Sequence, residues 1–485
     1  MKVLSIASEV YPLIKTGGLA DVAGALPPAL ARQGIAVRTL MPGYPSVMER
    51  VGPDAWQVYQ YAHLLGVPAR LIFATIEGLD LYLLDSPALF HRAGGPYADA
   101  SGADHADNWH RFAALARAGA DLAGGLDAGG FQPDIVHVHD WQAALAPAYM
   151  RYYGIWRPSV ATIHNIAFQG HFGASVFPGL ELPPQAFSLD GVEYYGGVGF
   201  LKAGLANASA ITTVSPTYAE EIRGPAYGMG LEGLINTRAP VLHGIVNGID
   251  TEVWNPETDR LLPARFSAST PGDRLGNRRA IEQRFGLHQD DDPLFVVVSR
   301  LTWQKGIDLM AETIGDLVAA GAKLAVLGAG DPGLEAAFLA AAAQHAGRVG
   351  VVIGYDEPLA HVMQGGADMI LIPSRFEPCG LTQLYGLRYG AVPVVARTGG
   401  LADTIIDANS AALNAGVATG FQFLPVDADG LRGAIRRAVS VFRNPQAWAA
   451  IRAAGMASDV SWDRSAALYA DLYASLAPAA AGQAQ

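Results

Sequence analysis

Short apolar runs alternate repeatedly with longer helical patterns along this chain, and this alternation limits the folds that it can adopt. Apolar, β-branched runs of this kind are typical of strands that are buried on both faces of a parallel sheet. A first series predicts strands at 3–7, 135–139, 160–164, 210–214 and 241–246. A second series predicts strands at 294–298, 323–327, 349–354, 369–373 and 392–396. The sequence therefore predicts an α/β protein with two doubly wound, Rossmann-like sheets.

The two series begin alike, because each first strand is followed by a loop with basic and glycine residues. The first loop contains Lys15, Gly17 and Gly18, and the second contains Arg300 and Lys305. Ligands of open α/β sheets bind at the carboxyl ends of the strands. Two such domains that face each other would bring both loops to one central cleft.

Two turn-rich breaks predict the domain boundaries. The first break separates an N-terminal domain, 1–246, from a C-terminal domain, 247–461. From Trp462 the apolar residues recur at helical spacing. We therefore expect 462–485 to form a helix that docks on a domain and to end in a frayed tail after Ala477.

The charge balance narrows the class of partner. The 485 residues include 33 Lys and Arg against 45 Asp and Glu, for a net charge of −12. An acidic surface disfavours nucleic acid and anionic membranes as partners, so an anionic ligand needs a local basic pocket. The single cysteine, Cys379, excludes an intramolecular disulfide and a multi-cysteine zinc site. The first apolar run is too short for a secretory signal, and no segment resembles a membrane span, so we expect a cytoplasmic protein. The sequence makes no prediction of its oligomeric state.

The segment from Lys15 to Val22 is the most distinctive local motif. Paired glycines let backbone N–H groups approach a ligand closely, and the helix that follows has a partial positive charge at its N-terminus. Because Lys15 adds a full positive charge, the loop suits a phosphate. The alternative interpretation is an ordinary strand-to-helix turn with no ligand. Pro27 and Pro28 predict that this helix is kinked or restarted.

Two further motifs lie at predicted carboxyl ends of strands in the second series. Arg300 and Lys305 have no acidic residue between them and suit a diphosphate leaving group, with two surface cations as the alternative. Glu377 could accept hydrogen bonds from sugar hydroxyls. The residues Gly380 to Thr382 then offer backbone N–H groups and a hydroxyl, or serve as a helix cap.

Two patterns point to other chemistry. His137 and His139 share one face of a predicted strand beside Asp140, but two histidines on a strand more often have a structural role than a metal-binding one. The segment 328–333 matches the G-x-G-x-x-G dinucleotide fingerprint. It follows the second strand of its domain and lacks an acidic residue about 20 positions on, so we interpret it as a tight turn that lines the cleft.

Together, the motifs resemble those of one family, the bacterial glycogen synthases and plant starch synthases. The matching segments cover nearly the whole chain and are KTGGLADVAGALP (15–27), VHVHDWQAAL (136–145), TIHNIAFQG (162–170), NGID (247–250), SRLTWQKGIDL (299–309), LGAGD (327–331), PSRFEPCGLTQLYGLRYG (373–390) and VARTGGLADT (395–404). The resemblance implies the GT-B architecture, with two Rossmann-like domains facing a cleft that closes on the donor. It also implies that the C-terminal helix of 462–485 crosses back to the N-terminal domain. It also implies retaining transfer of glucose from ADP-glucose to an α-1,4-glucan such as glycogen, with release of ADP. No metal and no other cofactor is expected in the chemical step.

The resemblance also assigns roles to single residues of this sequence. The catalytic set that it implies is His164, Arg300, Lys305 and Glu377. The donor-binding set is Lys15, Gly17, Gly18, Asp21, Tyr355, Cys379, Gly380, Leu381 and Thr382. The acceptor or glucose side is Tyr97, Asp140, Asn165 and Asn247. In this assignment Tyr355 lies against the adenine, Glu377 and Cys379 contact glucose hydroxyls, and the backbone carbonyl of His164 stabilises positive charge at the anomeric carbon.

Four other functions remain open at this point. A transferase that uses UDP-glucose or another sugar would have the same fold. A glucan phosphorylase would need a covalently held pyridoxal phosphate. A non-catalytic protein would bind glycogen without releasing ADP, and a nicotinamide oxidoreductase would rest on the glycine match alone.

Overall fold

The structure of the protein, a computed structural model, describes residues 1–127 and 130–477. Within these residues the chain forms two compact units. The first comprises Met1–Asn247 together with the chain from Trp462 onward, and the second comprises Gly248–Ser461. The frayed tail expected after Ala477 lies outside the described residues.

The first unit is built around a sheet with nine strands in the described residues. In spatial order they are Leu242–Gly244, Ala210–Thr213, Ser159–Ile163, Ile135–His139, Lys2–Ile6, Ala36–Pro42, Leu79–Asp85, Val67–Ile76 and Trp56–Leu64. The first seven are parallel, and the last two continue the sheet in antiparallel fashion. All five strands predicted in this half are present. The other four are additional to the prediction, because charged residues such as Arg38 and Asp80 interrupt their apolar runs.

The strand Lys2–Ile6 lies in the middle of this sheet. It pairs with Ala36–Pro42 on one side and with Ile135–His139 on the other. The loop that follows it therefore begins at the centre of the carboxyl edge, where parallel sheets bind ligands. A separate small antiparallel sheet consists of His171–Gly173, Gly197–Gly199 and Glu193–Tyr194.

The second unit has a sheet of six parallel strands in its described residues. In spatial order they are Val349–Ile353, Lys323–Gly328, Leu294–Val298, Met369–Ile372, Val392–Ala396 and Phe421–Phe423. The five strands predicted in this half are confirmed, and the short sixth strand is additional. The four inner strands are largely buried, which explains why they appear in the sequence as nearly continuous apolar runs.

Helices connect the strands in both units. Those of the first unit are Gly18–Arg32, Pro45–Met48, Pro87–Phe90, Asn108–Ala123, Asp140–Ala143, Leu145–Tyr152, Phe200–Asn207, Pro216–Glu221, Glu232–Thr237 and Trp462–Leu476. Those of the second are Leu275–Phe285, Ile307–Ala319, Pro332–Gln344, Glu357–Gly366, Thr382–Tyr389, Gly399–Thr404, Ser410–Ala415, Ala428–Phe442 and Pro445–Ala457. Short 3₁₀ segments occur at Ala174–Leu180, Pro184–Ala186, Ala239–Val241 and Pro271–Arg274. In the described parts of the chain, no helix combines the length and apolarity needed to cross a bilayer.

The helix Gly18–Arg32 continues without a break through Pro27 and Pro28, so the expected restart is wrong. An interior proline costs a helix about 3 kcal/mol. Here the helix is held by tertiary packing, because its buried face joins the core of the first unit. The C-terminal helix Trp462–Leu476 packs against it and adds Tyr469 and Tyr473 to the same core.

Candidate functional site

The glycine loop leads directly into the helix Gly18–Arg32. Gly17 has an extended backbone, with φ of −156°, so its conformation does not itself demand glycine. A Cβ atom at either Gly17 or Gly18 would have no protein atom within 4 Å. The two glycines therefore leave open space beside the helix N-terminus, as a loop that holds a phosphate requires. Lys15 lies at this opening, with its Nζ 2.7 Å from Oδ1 of Asp21.

The glycine loop is supported by Glu9, a residue that the sequence analysis did not select. Glu9 is 2% exposed, and its carboxylate accepts hydrogen bonds from the Thr16 N–H and, at 2.7 Å, from the Thr16 hydroxyl. The Tyr97 hydroxyl also donates to Glu9 and lies 2.8 Å from the hydroxyl of Ser8. The Tyr97 hydroxyl thus helps to hold the loop. An acidic residue just after a buried strand is the signal that could have revealed Glu9.

Asp140 and His164 meet at the carboxyl ends of neighbouring strands in the first sheet. Asp140 has φ of +53°, in the left-handed region that Asp and Asn tolerate better than most residues. Its Oδ1 accepts a hydrogen bond of 2.7 Å from the backbone N–H of His164, and the backbone N–H of Asn165 also donates to this carboxylate. The Nε2 of His164 lies 3.0 Å from Nδ1 of His139. These contacts fix the backbone at His164.

Burial determines the charge of this cluster. It raises the pKa of Asp140 to about 7, although the backbone N–H groups of His164 and Asn165 oppose the increase and the Glu9 carboxylate adds to it. Burial also lowers the pKa of His139 to about 3 and holds the pKa of His164 well below its usual range. Both imidazoles are therefore neutral near pH 7.

We expect the Asp140→Asn variant to change how stability depends on pH. Because the native pKa of Asp140 is raised, the native state holds a proton between about pH 4 and 7 that the unfolded chain has lost. Wild-type stability therefore falls, relative to the variant, as pH rises through this window, and the difference is constant above it. Asn also tolerates the left-handed backbone. Thermal unfolding of both proteins at half-unit pH steps measures this difference, and a constant difference across pH 4–7 would contradict the raised pKa.

Two asparagines complete the predicted residues of the first unit. The side-chain oxygen of Asn165 accepts a hydrogen bond of 3.0 Å from the backbone N–H of Ala167. Asn247 is 7% exposed, and its Oδ1 has no hydrogen-bond partner among the residues that the structure describes. A buried amide oxygen left without a donor is costly, so Asn247 suits a hydroxyl-bearing ligand. Across 1–127 and 130–477, no cluster of three or more His, Cys, Asp or Glu side chains is arranged to hold a metal ion.

In the second unit, the structure brings Lys305 and Glu377 together. The Nζ of Lys305 lies 2.6 Å from Oε2 of Glu377, and the Ser374 hydroxyl donates to the same oxygen at 2.8 Å. Both charged side chains are largely buried, whereas Arg300 is exposed at the carboxyl edge of the sheet. Ser374 was not predicted, and no spacing in the sequence marks it.

A second glycine pair supports the Glu377 loop. Gly399 has φ of +43°, and a Cβ atom there would lie 2.0 Å from the backbone oxygen of Glu377. A Cβ at Gly400 would lie 2.2 Å from the backbone oxygen of Cys379, and the Gly400 N–H donates to the oxygen of Glu377 at 3.1 Å. The segment TGGLADT is therefore a backbone support for Glu377 and Cys379.

The predicted helix N-terminus at Thr382 is present. The helix Thr382–Tyr389 follows Gly380, which has φ of +72°, and Leu381 is its N-cap. The side-chain amide of Gln383 donates to the backbone oxygens of Cys379 and Gly380 at 3.0 and 2.9 Å. Cys379 is buried at 5% exposure. The turn is thus held so that the first backbone N–H groups of the helix remain free of side-chain caps.

The glycine match at 328–333 packs against the Arg300 loop. Cβ atoms at Gly328 and Gly330 would lie 2.0 and 2.3 Å from the backbone oxygens of Ser299 and Leu301. The match therefore reflects close backbone packing. Tyr355 is 84% exposed, with its hydroxyl 3.1 Å from a carboxylate oxygen of Glu357, so its ring is accessible for stacking.

Comparison with known proteins decides the family. A family model described as the starch synthase catalytic domain matches residues 2–237, and one described as glycosyl transferases group 1 matches 279–449. The chain is 62% identical to "Glycogen synthase" of Mesorhizobium japonicum, with 98% of each chain covered. It is 61% identical to "Glycogen synthase 1" of Rhizobium meliloti, with 98% of this chain and 99% of that protein covered. The chain belongs to the glycogen and starch synthase family.

Solved structures agree with this assignment. The catalytic domain of Starch Synthase IV from Arabidopsis thaliana, bound to ADP and acarbose, matches with a TM-score of 0.87 and 32% identity, over 98% of this chain and 99% of that chain. Sucrose-phosphate synthase from Thermosynechococcus elongatus matches over 98% of each chain with a TM-score of 0.58 and 16% identity, which shows a shared fold alone. As a member of the glycogen and starch synthase family, the protein is a glycosyltransferase with the GT-B fold, as its motifs predicted.

Proposed function

We propose that this glycogen and starch synthase family member transfers glucose from ADP-glucose to the non-reducing end of an α-1,4-glucan such as glycogen, with retention and release of ADP. The observation that carries the proposal is 62% identity along 98% of the chain to a protein named glycogen synthase. The ADP in the Arabidopsis starch synthase structure supports an adenine nucleotide as the leaving group. We propose that the protein acts in the cytoplasm and uses no metal or other cofactor in the chemical step.

Charge stabilisation explains how the second unit would assist transfer. As the bond between the anomeric carbon and the β-phosphate oxygen breaks, negative charge grows on ADP and positive charge grows on the sugar. Arg300 and Lys305 stabilise the negative charge of the transition state more strongly than they stabilise the bound substrate. This difference lowers the barrier to transfer. The neutral His164 adds no opposing charge beside the sugar.

Retention has two routes. In a double displacement, a carboxylate attacks the anomeric carbon from the face opposite the leaving group, and the acceptor then displaces it. In same-face attack, the acceptor hydroxyl bonds to the anomeric carbon where ADP leaves, and its proton passes to the leaving phosphate. Oε2 of Glu377 accepts hydrogen bonds from Lys305 and Ser374, which weakens this carboxylate as a nucleophile. We therefore propose same-face attack.

The Glu377→Gln variant distinguishes the two routes. For same-face attack, we expect turnover to fall by about 10²-fold, because an anchor of Lys305 and of the sugar is weakened. The product remains α-linked, azide gives no rescue, and mass spectrometry detects no glucosyl adduct on the protein. A glucosyl adduct on Glu377 of the wild-type protein, or azide rescue of the variant that yields glucosyl azide of inverted configuration, would establish double displacement instead.

Donor competition tests the function as a whole. The purified protein is incubated with glycogen and radiolabelled ADP-glucose or UDP-glucose in separate reactions. Each donor is tested once with EDTA and once with added Mg²⁺ and no EDTA. We expect label to enter the polymer from ADP-glucose, at equal rates with EDTA and Mg²⁺, and much less from UDP-glucose. Label from UDP-glucose alone would overturn the donor assignment, a requirement for Mg²⁺ would overturn the cofactor proposal, and no incorporation would indicate a binding protein.

A further inference from the structure

We propose that Tyr473, in the C-terminal helix Trp462–Leu476, is a positioning residue for glucosyl transfer that holds His164 in place through two intervening histidines. The inference rests on the proposed function, because it uses the assignment of His164 to the sugar side of the reaction. Tyr473 touches neither substrate in this proposal and acts only through the histidines.

The connection is a continuous chain of contacts. The Tyr473 hydroxyl lies 2.7 Å from Nδ1 of His137, and the opposite nitrogen of that ring lies 2.5 Å from the Thr162 hydroxyl. The ring centroids of His137 and His139 are 4.1 Å apart. Nδ1 of His139 then lies 3.0 Å from Nε2 of His164. Each ring is thus held by the next, from the C-terminal helix to His164.

Because each neutral imidazole carries only one N–H, the Tyr473 hydroxyl has a specific role in this series of contacts. Burial lowers the pKa of all three histidines below the usual range, so each imidazole carries a single N–H. When Tyr473 donates its hydrogen to Nδ1 of His137, Nε2 must donate to Thr162, whose hydroxyl in turn lies 2.5 Å from that of Thr212. With Tyr473 as the donor, the phenol selects one tautomer and one orientation for the His137 ring.

Local packing leaves this arrangement sensitive to loss of the hydroxyl. A cavity of about 10 Å³ lies beside the chain and is lined by Ser5, His137, His139 and Tyr473, among apolar residues. A water molecule needs about this volume and two or more polar partners. Removal of the phenolic oxygen enlarges the cavity, so a water can enter and replace a rigid donor with a mobile one.

The test compares Tyr473→Phe with Tyr469→Phe. Tyr469 is a matched control, because it lies one turn earlier on the same helix and is equally buried. Its ring centroid is 5.5 Å from that of His137. Misplacement of reacting groups by about 1 Å can cost up to about 10²-fold in rate, and we expect Tyr473→Phe to lower kcat about tenfold. The KM for ADP-glucose changes less than about twofold, and Tyr469→Phe retains wild-type kcat.

Each outcome has a distinct meaning. A wild-type kcat in Tyr473→Phe, equal losses in the two variants, or a raised KM with retained kcat would overturn the positioning role. If wild-type protein transfers no glucose from ADP-glucose, the proposed function itself fails. Should Tyr473→Phe not fold, Thr162→Val removes the hydroxyl at the other end of His137 with little change of shape. The same fall in kcat at constant KM is expected there, and its absence would reject the proposal.

Discussion

Replacement of Lys305 by alanine is expected to lower the kcat of glucosyl transfer by about 10²–10³-fold, the usual cost of removing one preorganised charge-stabilising group. The KM for the glucan should change little, because Lys305 acts on the departing diphosphate. Its Nζ is already held 2.6 Å from Oε2 of Glu377, so the ammonium needs no reorganisation as charge develops. Initial rates with varied glycogen at saturating ADP-glucose measure both parameters, and an unchanged kcat would remove Lys305 from the mechanism.

The Lys305→Ala variant also leaves Glu377 without its cation, so a second effect must be separated. In the double variant Lys305→Ala/Glu377→Gln, the orphaned negative charge is absent, and we expect kcat at or below that of Lys305→Ala. Recovery above that level would assign the loss to Glu377. Arg432→Ala is the control for charge removal in the same unit, because Arg432 pairs with Asp316 at the surface and should leave kcat unchanged.

Removal of the Glu282 carboxylate is expected to cause the largest loss of stability. Glu282 is completely buried, and its oxygens lie 2.7 Å from Nζ of Lys323, 3.1 Å from Nε of Arg278 and 2.5 Å from Arg279. Lys323 is equally buried, and Glu282→Ala removes the buried one of the two carboxylates that it contacts, because the other, Asp290, is partly exposed. Breaking such a pair costs about 3–5 kcal/mol in the free energy of unfolding. Urea unfolding followed by circular dichroism measures the change.

A surface pair gives the contrast for this prediction. Asp316→Ala also removes a carboxylate from an ion pair of the second unit, but that pair with Arg432 is exposed. Exposed ion pairs contribute about 0–1 kcal/mol to the free energy of unfolding. The urea midpoint of Asp316→Ala should therefore stay near that of the wild type. Glu282→Gln/Lys323→Met removes both buried charges and should recover part of the loss. Equal, small effects of Glu282→Ala and Asp316→Ala would contradict the burial argument.

Features of the structure that depend on residues close together in the sequence were predicted correctly. The ten predicted strands are present, and most of them are buried along nearly their whole length, which requires largely apolar residues. The glycine loop at Lys15 and the helix start at Thr382 were also predicted, because both are defined by consecutive residues. Strands at the antiparallel end of the first sheet were missed, since their exposed faces dilute the apolar signal.

Other features could not be read from local patterns. The unbroken helix through Pro27 and Pro28 depends on packing in the core of the first unit. The glycines at 328 and 330 match a nucleotide fingerprint, yet the structure uses them for close backbone contact with the Arg300 loop. In each case a tertiary contact outweighs the local preference of the residues involved.

Local residue patterns were enough to predict the two α/β sheets, the loops at their carboxyl edges and the membership in the glycogen and starch synthase family. The folded structure was needed to show which side chains meet: Glu9 with Thr16, Lys305 with Glu377, and Tyr473 with His137. The last two pairs are 72 and 336 residues apart in the chain. Spacing along a sequence determines local conformation, whereas such contacts depend on how sheets and helices bring distant loops and helix faces together.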